Sequence, residues 1–315
     1  MISRRLLRVK ILQVLYADFN KQDRSINQSE KELFFSINKS YDLYYLFLLL
    51  PVELVKADEQ RLEAVSQRMV PSIDATETSS KFSENRLVAQ LRKNWQLSRY
   101  VSDNKVNWVK APEVIKNLYI QIREKEYFIE YLNKEITTYD DDKKLILRIL
   151  EEEVSVFEPL DNTLEDISIF WNDDIDFVLS MVIKTLKTFK ETDAPEKALM
   201  PLFKNEEDSD FVKKLFRKVA INHVEYNALI KQHSQNWEFE RIALMDVLIM
   251  QMALAEIIEF PSIPIKVSLN EYIDISKDYS TANSNTFING ILDNVVKELI
   301  AKKTVVKMGR GLMEK

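Results

Sequence analysis

The chain has no cysteine, three glycines and two histidines in 315 residues. Without cysteine there is no disulfide, no thiolate nucleophile and no Cys-ligated zinc. That usage fits a reducing compartment, and a cytoplasmic protein is expected. Glycine makes up about 7% of an average protein; here it is confined to Gly290, Gly309 and Gly311. A phosphate-cradling loop or dinucleotide fingerprint needs several glycines at short spacing behind a strand, and no such cluster exists. Tight hairpins usually need glycine or Asn-Gly. The one Asn-Gly, Asn289-Gly290, lies inside a helical apolar pattern, so the expected fold is all-α. His223 and His233 are ten apart rather than at the i, i+4 spacing of a metal pair. No carboxylate spacing singles out an acid/base pair. No catalytic residue, cofactor or metal is therefore expected, and the chain is read as a non-enzyme. Long apolar runs are missing too. "LYYLFLLL", Leu43 to Leu50, is stopped by Pro51 and Glu53; it is too short to span a bilayer and reads as a buried core helix. No membrane association is expected. The N-terminus has cations but no apolar stretch of signal-peptide type; an Arg-rich organelle transit peptide is the alternative.

What is present is the profile of a globular protein, 46% apolar and 30% charged, long enough for two domains. Apolar residues at Leu7, Ile11, Val14 and Leu15 predict a first helix ending near Asn20. A second is expected over roughly 30–50, then a loop-rich stretch including "PSIDATETSSKFSEN". "PEVIKNLYIQIREKEYFIEYLNK" reads as one long helix with Pro112 in its first turn. Asp140 to Asp176 carries thirteen acids and three bases, either as solvated helix faces or as a field that repels nucleic acid. "SDFVKKLFRKVAINHVEYNALIK" predicts another long helix, and "WEFERIALMDVLIMQMALAEIIEF" a central one, apolar over much of its circumference. Pro261 and Pro264 end it. Ser268 and Glu271 have capping-box spacing. The last helix repeats from Phe287 to Leu299. Residues 113–134 and 210–231 align without gaps, as an echo of amphipathic patterning or as a degenerate duplication.

The most unexpected stretch in this acidic chain, net charge −6, is its start, "SRRLLRVK". Cations in the first turns of a helix oppose its macrodipole, at about 0.3–1 kcal/mol each when exposed. Arg4 and Arg8 also repel one another at i, i+4. Phosphates would reverse both penalties. Arg4, Arg5 and Arg8 are therefore candidate RNA contacts, with Tyr16, two turns on, as a stacking face; the alternative is simple solvation. The loop "KDYSTANSNTF" is the second candidate. Lys277 and Tyr279 bring a cation and an aromatic, and Ser284 or Asn285 can cap the last helix, whose N-terminus favours anions. Gly290 costs about 1 kcal/mol in a helix, which predicts close approach of another backbone, for RNA or for helix packing.

Two stretches resemble the NusB family. "SRRLLRVKILQVLYA" is similar to its Arg-rich opening helix, with Gln13-Val14-Leu15-Tyr16 at the end. The second runs from "WEFERIALMDVLIMQ" to "FINGILD", matching at Pro264, Val267, Asn270, Glu271, Lys277, Phe287, Asn289, Gly290, Leu292 and Asp293. The family's acid before the last helix stands here as Asn283, and its basic residue before the phenylalanine as Thr286. The chain is about twice the usual family length.

The resemblance implies an all-helical fold of two small bundles, enlarged here. The expected divisions are 1–20 (first helix), 21–205 (extra helical region, possibly a degenerate repeat), 206–301 (C-terminal core) and 302–315 (a flexible basic tail). It implies an RNA-binding transcription antitermination factor that acts with NusE, a small-subunit ribosomal protein, on boxA-type single-stranded RNA in ribosomal RNA transcripts, within the antitermination complex on RNA polymerase. The expected RNA-binding set is Arg4, Arg5, Arg8, Tyr16, Lys277, Tyr279, Asn283, Ser284, Thr286 and Asn289. Asp246, beside Leu248 and Met252, stands where the family presents an acid to NusE. A helical protein–protein adaptor without RNA binding is the alternative. No glycine-rich cofactor loop is present of the kind the family's methyltransferase fusions need.

Overall fold

The computed structural model describes residues 2–67, 75–234 and 239–312. Among these there are fourteen α-helices and no strand: α1 (Arg4–Phe19), α2 (Ile26–Ser66), α3 (Ala75–Thr78), α4 (Arg86–Lys93), α5 (Trp95–Asn104), α6 (Pro112–Arg123), α7 (Glu126–Asn133), α8 (Tyr139–Arg148), α9 (Glu158–Ile167), α10 (Ile175–Lys187), α11 (Glu206–His233), α12 (Leu244–Glu259), α13 (Ile265–Tyr279) and α14 (Ser284–Ala301). None is long and apolar enough to cross a membrane. The chain divides into a central unit, Asn38–Leu202, and a terminal unit made of Ile2–Ile37 with Phe203–Lys315.

In the terminal unit α12 is the hub. Twelve of its sixteen residues are buried, from Asp246 to Ile257, as expected for a helix apolar nearly all round. It packs against α1, α11, α13 and α14. Trp237, which opened the helix expected there, lies outside the described residues. α1 starts where the Ser3 hydroxyl accepts the Leu6 amide at 3.2 Å. α11 deviates from helical geometry at Asn222 (φ −98°, ψ 15°). The expected capping box does not form. α13 begins at Pro264-Ile265, one turn early, and Ser268 lies inside the helix. A methyl group added at Gly290 would meet nothing within 4 Å; this glycine faces open space rather than another backbone. As far as it is described, to Leu312, the basic tail is held, not loose. Lys307 donates to the Ile257 and Phe260 carbonyls at the end of α12, and the Met308 amide donates to the Pro261 carbonyl. Gly311 is pressed so close to that carbonyl that any side chain would overlap it.

In the central unit, α2 runs through Pro51 instead of stopping there. Leu43, Tyr44, Phe47, Leu48, Leu50 and Leu54 are fully buried on it, and that burial outweighs a lost backbone bond. The long helix expected from Pro112 breaks at Glu124-Lys125, where Lys125 is extended (φ −76°, ψ 135°). The break lets α6 bury Leu118 and Ile122 and α7 bury Phe128 and Leu132. The gapless echo pairs Lys125 with Asn222, so both copies leave helical geometry at the same register. Ile115, Leu118, Tyr119 and Ile122 are buried, as are their counterparts Val212, Leu215, Phe216 and Val219. After the break the correspondence ends: Phe128 is buried, while its counterpart Glu225 is exposed.

The acidic stretch 140–176 is not only solvated surface. Three of its acids are buried. Asp142 accepts from the Arg86 side chain and amide and from Tyr131. Glu153, brought inward by a π turn over Ile149–Glu153, accepts from Gln121 and Tyr127 and pairs with Lys125 at 3.0 Å. Asp174 accepts from Ser40.

Candidate nucleic-acid interface

The basic start of α1 has no acid in its own first turn. Its carboxylates come from the other end of the chain. Arg4 Nε donates to Asp208 on α11 at 2.9 Å. Arg5 Nε reaches Glu271 at 3.1 Å, and Nη2 reaches Asp274, one turn along α13, at 2.9 Å. Arg8 passes inward. It is 3% exposed and makes a two-point contact with Glu256 of α12, Nε to Oε2 at 2.8 Å and Nη2 to Oε1 at 2.7 Å. Ser268 donates to Glu256 Oε1 at 2.8 Å and Tyr272 to Oε2 at 2.9 Å. Each oxygen of this fully buried carboxylate thus accepts two bonds, and Arg8 Nη1 turns to Glu271 at 3.3 Å. A buried pair is tolerated only with such complete satisfaction. Burial favours the neutral guanidine, but the bonds and charge of Glu256 overcome it and hold Arg8 firmly charged. Burial, with the charge of Glu256, keeps the Tyr272 phenol protonated well above its ordinary range.

Arg8 therefore corrects the sequence reading. It is a core residue that ties α1 to α12 and α13, not an outward cation. The signal for it was in the sequence: Glu256 is the one acid between Asp246 and Glu259 in a helix otherwise apolar or neutral, and such a carboxylate needs a buried cation. Ser268, Glu271 and Tyr272, at helical spacing, complete its shell.

Asp246 is also corrected. It is 6% exposed and accepts from the hydroxyls of Ser280 and, at 2.9 Å, Ser284. It fastens the start of α12 to the turn between α13 and α14. Leu248 and Met252 are fully buried beside it. None of the three presents a surface to a partner. Ser284, buried, is likewise taken up by Asp246 and Thr281. It does not cap α14, whose N-cap is Asn283 without a side-chain bond. Asn285 instead accepts the Thr286 amide.

The candidates at the surface are fewer. Lys277 is exposed, and its ammonium donates to the same Asp274 that holds Arg5, at 2.7 Å. Two segments from opposite ends of the chain thus meet at one carboxylate. Bonds from Lys277 and then Arg5 hold that carboxyl below its ordinary range. Bonds from Glu271 and Asp274 raise Arg5. Tyr16 is 42% exposed. Eleven residues advance a helix by about 16 Å and return it to within about 20° of the same face, so Tyr16 lies on the Arg5 side of α1. Tyr279 and Asn289 are partly buried; Asn283 and Thr286 are exposed. The two histidines hold elements together. His223 packs edge-on against Phe19 at 5.3 Å, and His233 meets Glu298 at 2.6 Å.

The NusB family model matches residues 180–297. The transcription antitermination protein NusB of Salinibacter ruber is 38% identical over 138 residues, covering 42% of this chain and 86% of that protein. Its namesake in Listeria welshimeri is 34% identical over 125 residues, 35% of this chain and 98% of that protein. That of Chloroherpeton thalassium is 41% identical over 105 residues, 33% of this chain and 50% of that protein. No solved structure matches the chain. α12, α13, their carboxylates Glu256, Glu271 and Asp274, and most of α14 all fall within the matched residues, and on identity over nearly the whole of a relative the chain belongs to the NusB family.

Proposed function

We propose that the chain is a transcription antitermination factor that binds boxA-type single-stranded RNA in ribosomal RNA transcripts together with NusE, as part of the antitermination complex on RNA polymerase. Its NusB relatives carry the antitermination role in their names. The RNA reading rests on one observation, the convergence of Arg5 and Lys277 on Asp274. Exposed ion pairs are worth only about 0–1 kcal/mol, so a phosphate can replace Asp274 at little cost. The Arg fork would then hold it at two points. Arg8 cannot make that exchange, because opening its pair would strand a buried charge. Tyr16, exposed on the same side of α1, would offer its ring to a base. Asn283 and Thr286, at the exposed start of α14, can donate to phosphate or base edges.

One observation favours the adaptor reading instead: Arg4, Arg5, Arg8 and Lys277 all already hold carboxylate partners. A filter-binding titration with boxA-like RNA, with and without NusE, separates the two. Retention of RNA that NusE strengthens is expected. NusE binding with no RNA retention would leave the adaptor.

A further inference from the structure

Arg4 turns away from its neighbour Arg5 into a different part of the terminal unit. There the first turn of α1, the first turns of α11 and Arg310 of the C-terminal tail line a groove of about 1230 Å³. We infer that this groove is a second RNA surface, which holds the sugar–phosphate backbone of a single strand on its cations and a base on Phe260. The inference rests on the RNA reading above and extends it to residues outside the predicted set.

Among the described residues six cations line the groove, Arg4, Lys204, Lys213, Lys214, Arg217 and Arg310, against three carboxylates, in a chain of net charge −6. Arg4, Lys214 and Arg217 are paired, with Asp208, Glu259 and Glu30. Lys204, Lys213 and Arg310 are exposed and have no ion pair among the described residues. Unpaired like charges gathered in one concavity raise the local concentration of anions. Arg310 is there because the tail is anchored by Lys307, Met308 and Gly311.

The second observation is an aromatic among these cations. Phe260 is half-buried in the groove wall, its ring tilted by 56° against Phe211 at 5.0 Å. The Lys214 ammonium stands 4.9 Å from its centre. Cationic walls with a part-exposed ring are what single-stranded nucleic acid requires. A small molecule fits less well, since such sites are mostly apolar and roughly 300–1,000 Å³, and nine of the fifteen lining residues here are charged. Continuity also favours RNA: a strand on Arg5 and Lys277 need only pass one residue along α1 to enter at Arg4.

The test uses the full chain, fluorescence anisotropy, a range of salt concentrations and a single-stranded RNA long enough to cross both surfaces. Lys204→Gln/Lys213→Gln/Arg310→Gln should weaken binding. It should also reduce the slope of log affinity against log salt by about 2, at about 0.7 per lost phosphate contact. Phe260→Leu, which keeps the apolar contact with Phe211, should weaken binding about tenfold with the slope unchanged. Circular dichroism melts check that both variants are folded; the triple variant changes only exposed side chains and decides the matter if Phe260→Leu is unstable. If the triple variant keeps wild-type affinity and slope while Arg5→Gln/Lys277→Gln loses affinity, the groove inference is overturned and the RNA reading stands. A wild-type chain that binds no single-stranded RNA overturns both. Poly-glutamate binding that the triple variant loses, with RNA binding intact, makes an acidic protein the occupant and overturns the inference too.

Discussion

The terminal unit centres its buried charge on an arginine–glutamate pair, with Asp18 held by Arg24 and Ser29 and Asp246 by Ser280 and Ser284, while the central unit keeps carboxylates under phenols. In the first, Arg8 and Glu256 neutralise one another and Ser268 and Tyr272 fill the remaining bonding sites. In the second, Asp58 takes the Tyr119 hydroxyl and Arg61, Asp142 takes Tyr131 and Arg86, and Glu153 takes Tyr127 and Lys125. Tyr44 bonds Thr185 at 2.7 Å, and Tyr41, Tyr45 and Tyr100 pack with it as an aromatic cluster. The contrast has two consequences. The terminal unit ties α1, α12 and α13 together through one buried pair, so removing it strikes all three; the central unit spreads its buried carboxylates over several phenols and responds to alkali. By sinking Arg8 into the core, the terminal unit fixes α1 so that Arg4 and Arg5 stand at defined places on its surface.

The largest effect should come from Glu256→Ala. It leaves the buried Arg8 with only its longer contact to Glu271, at 3.3 Å, at a cost of about 3–5 kcal/mol. Hydrogen–deuterium exchange should show faster exchange in α1, α12 and α13, with α4 to α10 still protected. Loss of protection throughout would mean that the two units do not fail separately.

Alkali should sharpen the comparison from the other side. Burial, with the Tyr45 phenol beside it, raises Tyr41, and burial reinforced by nearby carboxylates raises Tyr100, Tyr119, Tyr127 and Tyr131. Burial pushes Tyr44 up to about 12. A phenol raised in the folded state contributes stability that is complete below its unfolded value of 10 and is lost as pH climbs toward the folded one. Tyr44 alone accounts for up to about 2–3 kcal/mol. Above pH 10 the fluorescence of the buried Trp108 and Trp171 should report loosening of the central unit. Unchanged emission to pH 12 would break the contrast.

Asp246→Ala removes a carboxylate that accepts two hydroxyl bonds and should cost about 2 kcal/mol. A thermal melt should fall accordingly, with exchange rising around Ser280 and Ser284. An undiminished melting temperature would return Asp246 to the surface role read from sequence.

The smallest effect concerns Lys307, which burial brings down to about 8. Between pH 8 and its unfolded value of 10.5, the unfolded chain holds a proton that the folded tail has shed. Tail docking should therefore tighten slightly as pH rises through that window, before the phenols titrate. Lys307→Met should abolish the trend in exchange rates near Gly311.

The helical class was legible from what is missing, α1, α11, α12 and α14 from their apolar pattern, and α13 from the Ser268/Glu271 spacing, which set its start one turn late. Breaks without glycine or proline were not. Lys125 and Asn222 interrupt good helical patterns because both flanking segments must turn apolar faces inward, a tertiary demand invisible to periodicity. Pro51 misled in the opposite direction, since deep burial on both sides carries α2 through it. At the candidate site, the cations were readable but not their depth. Arg5 and Arg8 look alike in "SRRLLRVK", and only their place on α1 relative to Glu256 separates a surface contact from a core one. Asp246, beside Leu248 and Met252, reads as the charged rim of an apolar patch until α13 and α14 cover it. The groove at Phe260 escaped because the cations that join Arg4 there come from 204–217 and from the tail, stretches ordinary alone.

The central claim is that Arg5 and Lys277, not Arg8, meet RNA. The direct measurement is the salt dependence of boxA-like RNA binding by Arg5→Gln/Lys277→Gln beside the wild type. The slope should fall by about 1.4, from two lost contacts at about 0.7 each, with melting temperature nearly unchanged because both side chains are exposed. Equal slopes and equal affinities in the two proteins would contradict the account.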